Sequence, residues 1–338
     1  MNRKDDHIKL ALLQDEDVND FDKVRFVHHA LNNASFDNCL LEVNFLGRKV
    51  DLPIYINAMT GGSNKSLEIN EKLAKLAKHF NIPIATGSMS IAIKDSKTIN
   101  SFKIIRDNYQ DGFIIANIGA DKKLEDAKKA ISLINANCLQ IHLNIIQEMI
   151  MPEGERTFAS YEENIKDIVN NVNVPVIIKE VGFGMSYEVM NNLKNYNIKY
   201  IDVSGKGGTN FAVIENHRRS NKFNDLNSFG LSTVESLLEA KKLSGVEIFA
   251  SGGINKPVHV IKALTLGASF VGMSGYFLKL VENNSLDDAI KIFEDFITEL
   301  KTIMVILGKS SVAELKDVDL LFDQPLVNFM NQRKITLN

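Results

Sequence analysis

The sequence is poor in cysteine, proline and tryptophan: its 338 residues include two, six and none of these, respectively. The two cysteines, Cys39 and Cys138, are far apart and show no CxxC spacing, so their placement suggests no disulfide framework. Cys138 lies inside the apolar run CLQIHL, and we expect a buried free thiol there. Linkers rich in proline, serine or glycine are also missing, so we predict a single domain over residues 1–338.

Long apolar stretches and a strong charge bias are missing as well. No segment approaches the roughly 18 consecutive apolar residues of a membrane span, and the first residues, MNRKDDHIKLALLQ, lack the apolar core of a signal peptide. Lysine and arginine total 39 against 42 acidic residues, a net charge of −3, which gives no basic field for nucleic acid. We therefore expect a cytoplasmic protein that binds a small molecule, with neither a membrane nor a nucleic acid as partner.

The composition is ordinary for a globular protein, 45% hydrophobic and 24% charged, and the apolar residues form short runs. Each run is rich in β-forming residues and ends in small or polar ones. The runs are IYINAM (54–59), PIATGS (83–88), GFIIANIG (112–119), CLQIHLN (138–144), PVIIKEVG (175–182), YIDVSG (200–205), EIFASGG (247–253) and FVGMSG (270–275). Between most of them lie amphipathic segments of helical period, such as 67–79, 124–134 and 232–243.

Near-continuous apolar strands that alternate with helices are typical of a parallel sheet buried on both faces. Eight such units in about this length favour a (β/α)8 TIM barrel over residues 54–285, with an open, doubly wound sheet as the alternative. Residues 1–53 form an N-terminal extension, with a predicted helix at His7–Leu13 and a hairpin at Leu40–Leu52 that closes the lower end of the barrel. Residues 286–338 form a C-terminal helical segment, which starts with an outer helix to about Leu307.

Active sites of such barrels lie at the C-terminal ends of the strands, where this sequence carries hydroxyls, amides and glycines. The two longest gaps between strands, 149–158 and 206–230, are candidate loops over the mouth. After the seventh and eighth strands, SGGI and MSG place Gly253, Ser274 and Gly275 where barrels commonly bind phosphate through backbone N–H groups. The pattern predicts a phosphate cradle.

Lys179 lies within the apolar run PVIIKEVG, which places a cation inside the barrel. Such a lysine is unfavourable without an anionic partner. That partner is either an acid of the protein, such as Glu180 in a structural ion pair, or the ring of a ligand. With Asn117 and Thr209 placed to bond ring edges, a phosphate-bearing cofactor with an electron-accepting ring suggests FMN.

Ten motifs that carry a family resemblance run in order along nearly the whole chain. They are RKDDHI (3–8), NAMTGG (57–62), ATGS (85–88), ANIGA (116–120), HLNIIQE (142–148), PEGERTF (152–158), KEVGFGMS (179–186), DVSGKGGTNF (202–211), SGGI (251–254) and GMSGYFL (272–278). This set resembles the type 2, FMN-dependent isopentenyl-diphosphate delta-isomerases, and its central motifs are highly specific.

The resemblance implies isomerisation of isopentenyl diphosphate to dimethylallyl diphosphate on reduced FMN, in isoprenoid biosynthesis. It also implies NADPH as reductant, Mg2+ on the substrate diphosphate, and a homo-oligomer, either a tetramer or an octamer. By motif, Gln147 and Lys179 resemble the catalytic residues and Glu148 the metal ligand. The residues that match FMN contacts, including the phosphate cradle, are Ala58, Met59, Thr60, Ser88, Asn117, Lys179, Ser204, Thr209, Gly253, Ile254, Asn255, Ser274 and Gly275. Those that match substrate contacts are Arg3, Lys4, Ser88, Met89, Ser90 and Gln147.

Two positions depart from the family pattern. After ATGS many members carry an arginine for the diphosphate, where this chain reads Met89-Ser90-Ile91. After SGGI many carry an arginine where this chain has Asn255. We therefore expect the flavin phosphate to rest more on backbone N–H groups, and the diphosphate more on Arg3, Lys4 and Mg2+.

The double-bond shift adds a proton at one carbon and removes one at another, and Gln147 by itself is neither a strong acid nor a strong base. We therefore interpret Gln147 as a positioning group or relay. His7 and His142 are more simply explained as shaping and packing residues. Two other functions stay open: an FMN oxidoreductase of the α-hydroxy-acid oxidase type, and a non-catalytic barrel that binds a phosphate ligand. The first needs a histidine base and an arginine clamp after the sixth strand, where this chain reads KGGT (206–209).

Overall fold

The computed structural model describes residues 8–10, 12–14 and 19–336. Eight parallel strands close into a barrel in the order β10-β11-β4-β5-β6-β7-β8-β9. Their bounds are β4 Ile54–Ile56, β5 Ile84–Ser88, β6 Ile114–Gly119, β7 Cys138–Leu143, β8 Val176–Glu180, β9 Tyr200–Asp202, β10 Glu247–Ser251 and β11 Phe270–Met273. Every predicted strand is present, which confirms the TIM barrel and excludes the open sheet.

Thirteen α-helices between residues 64 and 332 surround or extend the barrel. They are α1 Asn64–His79, α2 Ser90–Lys94, α3 Asn100–Asn108, α4 Leu124–Leu133, α5 Ile145–Ile150, α6 Tyr161–Asn171, α7 Tyr187–Asn195, α8 Phe211–His217, α9 Thr233–Ala240, α10 Pro257–Thr265, α11 Gly275–Asn283, α12 Leu286–Ile306 and α13 Gln324–Gln332. Helix α9 begins with the predicted capping box, in which Ser232 accepts from the Glu235 N–H and Glu235 accepts from the Ser232 N–H. No helix in the described part of the chain is long and apolar enough to cross a membrane.

The predicted hairpin is formed by β2 Val43–Phe45 and β3 Arg48–Val50, which pair antiparallel. Phe45 is fully buried, and its ring meets Phe113 at 5.0 Å and Phe270 at 4.6 Å, edge to face in both cases. These partners stand at the N-terminal ends of barrel strands, so the hairpin closes the lower end of the barrel as predicted. Cys138 lies in the same cluster and is a free, buried thiol.

The N-terminal extension and the C-terminal segment pack together on the outside of the barrel. Residues 8–10 and 12–13 are helical, in agreement with the predicted helix as far as it is described. Strand β1 Val24–Phe26 follows a 3-10 turn at Asp20–Lys23 and pairs antiparallel with β12 Leu320–Phe322. One hydrophobic cluster continues from the barrel helices through both additions. This packing fixes the extension beside the C-terminal ends of β9 to β11.

Candidate active site

The interior of the barrel carries a connected set of polar side chains just below its mouth. At its centre the carboxylate of Asp202, which is fully buried, accepts hydrogen bonds from the Tyr55 hydroxyl at 2.6 Å, the Asn57 amide at 2.8 Å and the Ser251 hydroxyl at 2.7 Å. Burial and the nearby Asp202 charge hold the pKa of Tyr55 well above its usual value, so this phenol stays a donor.

The same network continues across the barrel from Asn57. The Gln140 amide donates to the Asn57 oxygen at 3.2 Å and accepts from the Asn117 amide at 2.8 Å. The oxygen of Asn117 in turn lies 2.9 Å from Nδ1 of His142. Because each amide is held on both sides, these side chains form a fixed polar floor for whatever occupies the mouth.

Lys179 projects into the interior from β8 and is 6% exposed. Its Nζ donates to the carbonyl oxygen of Glu180 at 2.5 Å and to the hydroxyl of Ser204 at 3.2 Å. The carboxylate of Glu180 is turned away, because it accepts the three backbone N–H groups that follow it, those of Val181, Gly182 and Phe183. The sequence left open an ion pair between these neighbours; the Glu180 carboxylate makes no direct ion pair with Lys179, although its charge still acts on the ammonium group.

The electrostatics around Lys179 favour an additional anion. Burial lowers the pKa of its ammonium group, and the charges of Asp202 and Glu180 raise that pKa only in part. Burial likewise raises the pKa of the Glu180 carboxyl. A negatively charged ring placed against Lys179 would add a further favourable interaction with its ammonium group.

Glycines from two loops pack against each other at the strand ends after β9 and β10. Gly252 and Gly253 have φ values of +95° and +73°, which side chains rarely adopt. A Cβ on Gly253 would lie 2.6 Å from the carbonyl carbon of Gly207, and one on Gly208 would lie 2.6 Å from the Gly253 nitrogen. Only glycine fits here, because the two loops pack backbone against backbone.

The neighbouring strand end supplies the other half of the cradle. Ser274 is the N-cap of α11, with no side-chain cap hydrogen bond of its own, so the first N–H groups of this helix face the mouth region uncapped. A Cβ on Gly275 would meet the Thr209 hydroxyl at 4.0 Å, which places Thr209 beside the predicted phosphate loop. The phosphate end of FMN therefore fits the residues that are present.

Asn255, where the family pattern expects arginine, brings no cation to this cradle. Its Oδ1 is buried and has no hydrogen-bond partner among the described residues. A buried acceptor without a partner is unfavourable by roughly 1–3 kcal/mol, which marks the position as incomplete within the protein alone.

Gln147 and Glu148 lie on the short helix α5 after β7. The Gln147 amide donates to Oε1 of Glu215 at 3.0 Å, across 68 residues of sequence. The two carboxylate oxygens of Glu148 accept from the Asn144 amide and from the Glu155 backbone N–H, each at 2.8 Å. Helix α5 thus carries a neutral amide and a carboxylate at adjacent positions in the sequence.

The two long loops predicted over the mouth meet each other there. Arg156 folds the 151–156 turn back onto α5 by donating to the carbonyl oxygens of Glu148 and Met151. Arg218, just after α8, pairs with Glu153 of one loop and with Glu215 of its own helix. The mouth is therefore covered by α5 and α8, held together by charged and amide side chains.

Three residues predicted as ligand contacts have side chains that bond or pack within the protein. The Thr60 hydroxyl bonds the Ser66 hydroxyl at 2.7 Å, inside the start of α1. Met89 is fully buried in the main hydrophobic cluster, because the chain enters α2 directly after β5. Ser90, the first residue of α2, bonds the Ser88 hydroxyl at 3.1 Å. Arg3 and Lys4 lie outside the described residues.

The remaining predicted contacts line the strand ends. Ser88 is paired in register with Asn117, and Ala58 and Met59 are partly exposed directly after β4. Ser204 has a φ of +35°, and its hydroxyl accepts a hydrogen bond from Lys179. These residues surround the polar floor on several sides.

Asp202 and Glu215 are both fully buried, and neither was predicted as a site residue from the sequence. A signal was present for each. Asp202 ends the apolar run YID, and Glu215 follows the apolar FAVI inside a loop that was predicted over the mouth. A carboxylate inside an apolar run needs a polar partner. The partners of Asp202 are the side chains of the barrel network, and those of Glu215 are Gln147 and Arg218.

The chain is similar to several known proteins. Residues 120–321 match the family described as FMN-dependent dehydrogenase. The isopentenyl-diphosphate delta-isomerase of Staphylococcus haemolyticus is 46% identical over 343 aligned positions, which cover 99% of this chain and 97% of that protein. The enzyme of the same name from Staphylococcus aureus is 44% identical over 339 positions, with the same coverage. Among solved structures, mandelate oxidase aligns with a TM-score of 0.63 at 15% identity, over 95% of this chain and 96% of that chain, a likeness of fold.

Proposed function

The chain belongs to the isopentenyl-diphosphate delta-isomerase family, and from that premise we propose that it converts isopentenyl diphosphate to dimethylallyl diphosphate on bound, reduced FMN. The observation that supports this most is the joint placement of Lys179, the glycine cradle and the Gln147–Glu148 pair at one barrel mouth. The FMN-dependent dehydrogenase match over residues 120–321 supports the flavin.

FMN would be held at two ends. Its phosphate would accept hydrogen bonds from the backbone N–H groups of Gly253, Ile254 and Gly275, with Ser274 and Asn255 beside them. Its ring and ribityl chain would lie over the polar floor, in contact with Ala58, Met59, Thr60, Ser88, Asn117, Lys179, Ser204 and Thr209. When reduced, FMN supplies an electron-rich ring that offsets positive charge and a ring nitrogen that can exchange a proton.

The protein's own residues then orient the reaction. Lys179 sets a positive charge beneath the mouth, and burial lowers the pKa of its ammonium group. Gln147 donates its amide hydrogen to Glu215, which fixes the amide group, and we propose that the amide oxygen contacts the substrate. Glu215 is also paired with Arg218, and it positions Gln147 as a hydrogen-bond acceptor.

Glu148 is the proposed anchor for Mg2+. Each of its oxygens accepts one hydrogen bond, which orients the carboxylate and leaves further lone pairs for a hard cation. Within the described residues no group of three or more histidine, cysteine, aspartate or glutamate side chains could hold a metal. The ion would therefore complete its shell with diphosphate oxygens and water. We also propose NADPH as the reductant and a homo-oligomer of four or eight chains, as the family resemblance implies.

An α-hydroxy-acid oxidase activity is the second candidate, and the site gives it less support. The similarity to mandelate oxidase is one of fold, at 15% identity. Directly after the sixth barrel strand the chain has Lys206 and Thr209, and Lys206 donates to the Ser228 carbonyl oxygen at 2.9 Å. His217 and Arg218 lie farther on, at the end of α8, where Arg218 is already paired with Glu153 and Glu215. A non-catalytic phosphate-binding barrel would retain the cradle but would not need Gln147, Glu148 and Glu215 together.

The function is tested by adding FMN, NADPH and Mg2+ to the purified protein without oxygen, then following isopentenyl diphosphate by proton NMR. We expect dimethylallyl diphosphate to form until equilibrium is reached. In a parallel reaction with oxygen and mandelate or lactate, we expect no oxidation. Oxidation of a hydroxy acid without isomerisation would favour the second candidate, and neither reaction would favour the binding barrel.

Replacing both Arg3 and Lys4 by alanine tests the proposed diphosphate contacts. We expect the Michaelis constant for isopentenyl diphosphate to rise by about 30-fold or more, since two charge-assisted hydrogen bonds to phosphate are lost. FMN affinity and melting temperature should stay unchanged. The exposed pair Arg25 and Lys49, replaced in the same way, is the matched control. An unchanged Michaelis constant in the first variant would place the diphosphate elsewhere in the mouth.

A further inference from the structure

Asn19 connects the N-terminal extension to the glycine cradle through a single amide. It stands just before the 3-10 turn at Asp20–Lys23 and is 7% exposed. Its Oδ1 accepts the Phe21 N–H at 3.1 Å, which caps the turn, and its Nδ2 donates to the carbonyl oxygen of Gly253. One side chain therefore accepts a hydrogen bond from its own turn and donates one to a peptide group of the loop after β10.

The Asn19 amide lies between the two glycine loops. A Cβ on Gly253 would come within 2.9 Å of Asn19 Nδ2, and one on Gly207 would come within 3.5 Å of Asn19 Oδ1. Both glycines have positive φ values, +73° and +119°. The side chain is thus packed against the backbone of both loops at once.

The bond to Gly253 fixes the direction of the next N–H group. In a trans peptide the carbonyl and the N–H point in opposite directions. Holding the Gly253 carbonyl toward Asn19 therefore turns the Ile254 N–H the other way, and this N–H makes no hydrogen bond to another described residue. Without a restraint, a peptide next to a glycine rotates easily, because glycine populates positive and negative φ about equally.

The turn that begins after Asn19 is fixed to the helix α10. Phe21, two residues on, is fully buried and stacks on the His259 ring with 5.4 Å between centroids. Lys262 donates to the Phe21 carbonyl oxygen at 2.7 Å. Both partners belong to α10, the helix that follows the glycine loop, so the turn and the loop are fixed to the same element.

We propose that Asn19 is a positioning residue for the FMN phosphate: it aims the Ile254 N–H at the cradle by holding the Gly253 carbonyl. The inference rests on the proposed function, since it takes FMN as the ligand. It assigns a ligand-binding role to the extension that is distinct from the diphosphate contacts proposed for Arg3 and Lys4. The role matters more in this chain because Asn255 brings no positive charge to the phosphate.

The test compares FMN with riboflavin, which has the same ring and ribityl chain but no phosphate. Asn19→Ser keeps a good N-cap oxygen for the Phe21 N–H, yet the shorter side chain cannot reach the Gly253 carbonyl. Dissociation constants are measured on the apo-protein from the quenching of flavin fluorescence. We expect the constant for FMN to rise roughly five-fold, the effect of one hydrogen bond, and the constant for riboflavin to stay within two-fold of wild type.

Asn44→Ser is the matched control, since Asn44 also accepts a backbone N–H, that of Gly47, in the hairpin at the opposite end of the barrel. It should leave both constants unchanged. Equal weakening of FMN and riboflavin by Asn19→Ser, or no change in either, would overturn the role of Asn19. The wild-type preference for FMN over riboflavin tests the proposed cofactor separately, and its absence would overturn both proposals.

Discussion

Replacing Lys179 by methionine is expected to lower the turnover of isopentenyl diphosphate by about 100-fold to 1,000-fold, while oxidised FMN stays bound. A preorganised charge in a water-excluded site stabilises developing charge by about 3–4 kcal/mol, which corresponds to that range. Methionine has a similar length and no charge, so packing under the ring is retained. The reduction potential of the bound flavin should become more negative, because a cation that favours the reduced, anionic ring has been removed.

In the protein without ligand, the same substitution is expected to maintain or raise stability. The pKa of Lys179 is lowered in the fold, from 10.5, mainly by burial. In the pH range between the folded and unfolded values the unfolded chain binds more protons, so the wild-type apo-protein gains stability as pH rises through that range. The methionine variant should lose this pH dependence and be at least as stable at neutral pH, as measured by urea unfolding.

Lys72→Met is the matched control, because Lys72 also donates to a backbone carbonyl, that of Val281, from a partly buried position outside the mouth. It should change neither turnover nor the flavin potential. Wild-type turnover in the Lys179 variant, with an unchanged potential, would mean that this lysine is a structural residue of the barrel.

Glu148→Gln is expected to lower Mg2+-dependent turnover by at least about 100-fold, with FMN still bound. The carboxylate is the protein's proposed anchor for the ion, and an amide is a much poorer ligand for a hard cation that needs charged oxygens. Turnover is measured against Mg2+ concentration, and FMN affinity by fluorescence. Glu155→Gln, an exposed side chain on the same loop, should behave like wild type.

The hydrogen bonds of Glu148 also allow an explanation in which this residue is structural and binds no metal. It holds the Asn144 amide and the Glu155 N–H, so a purely structural role would be to fasten the loop to α5. A variant with near-normal turnover and an unchanged Mg2+ requirement would support that role. A lowered melting temperature with normal turnover would support it as well.

The barrel could be predicted from the sequence because its strands are buried on both faces. Such strands are continuous apolar runs, and each ends where small and polar residues take over. The interior position of Lys179 followed from the same pattern, since Ile177 and Ile178 before it allow no solvent-facing strand. The phosphate cradle followed from glycines at adjacent strand ends.

The contacts between distant segments could not be predicted. Gln147 and Glu215 are 68 residues apart, and only the meeting of two mouth loops brings them together. Asn19 and Gly253 are 234 residues apart, and their bond depends on how the extension crosses the barrel. Met89 was predicted as a substrate contact from the family motif, yet the immediate start of α2 turns it into the core.

The most direct test of the proposed function is the dependence of isomerisation on the redox state of the flavin. Isopentenyl diphosphate and Mg2+ are added without oxygen to three samples of one preparation: apo-protein, protein with oxidised FMN, and protein with FMN reduced by dithionite or NADPH. We expect dimethylallyl diphosphate in the third sample alone. Equal product formation by the apo-protein, or by the oxidised sample without reductant, would contradict the proposed function.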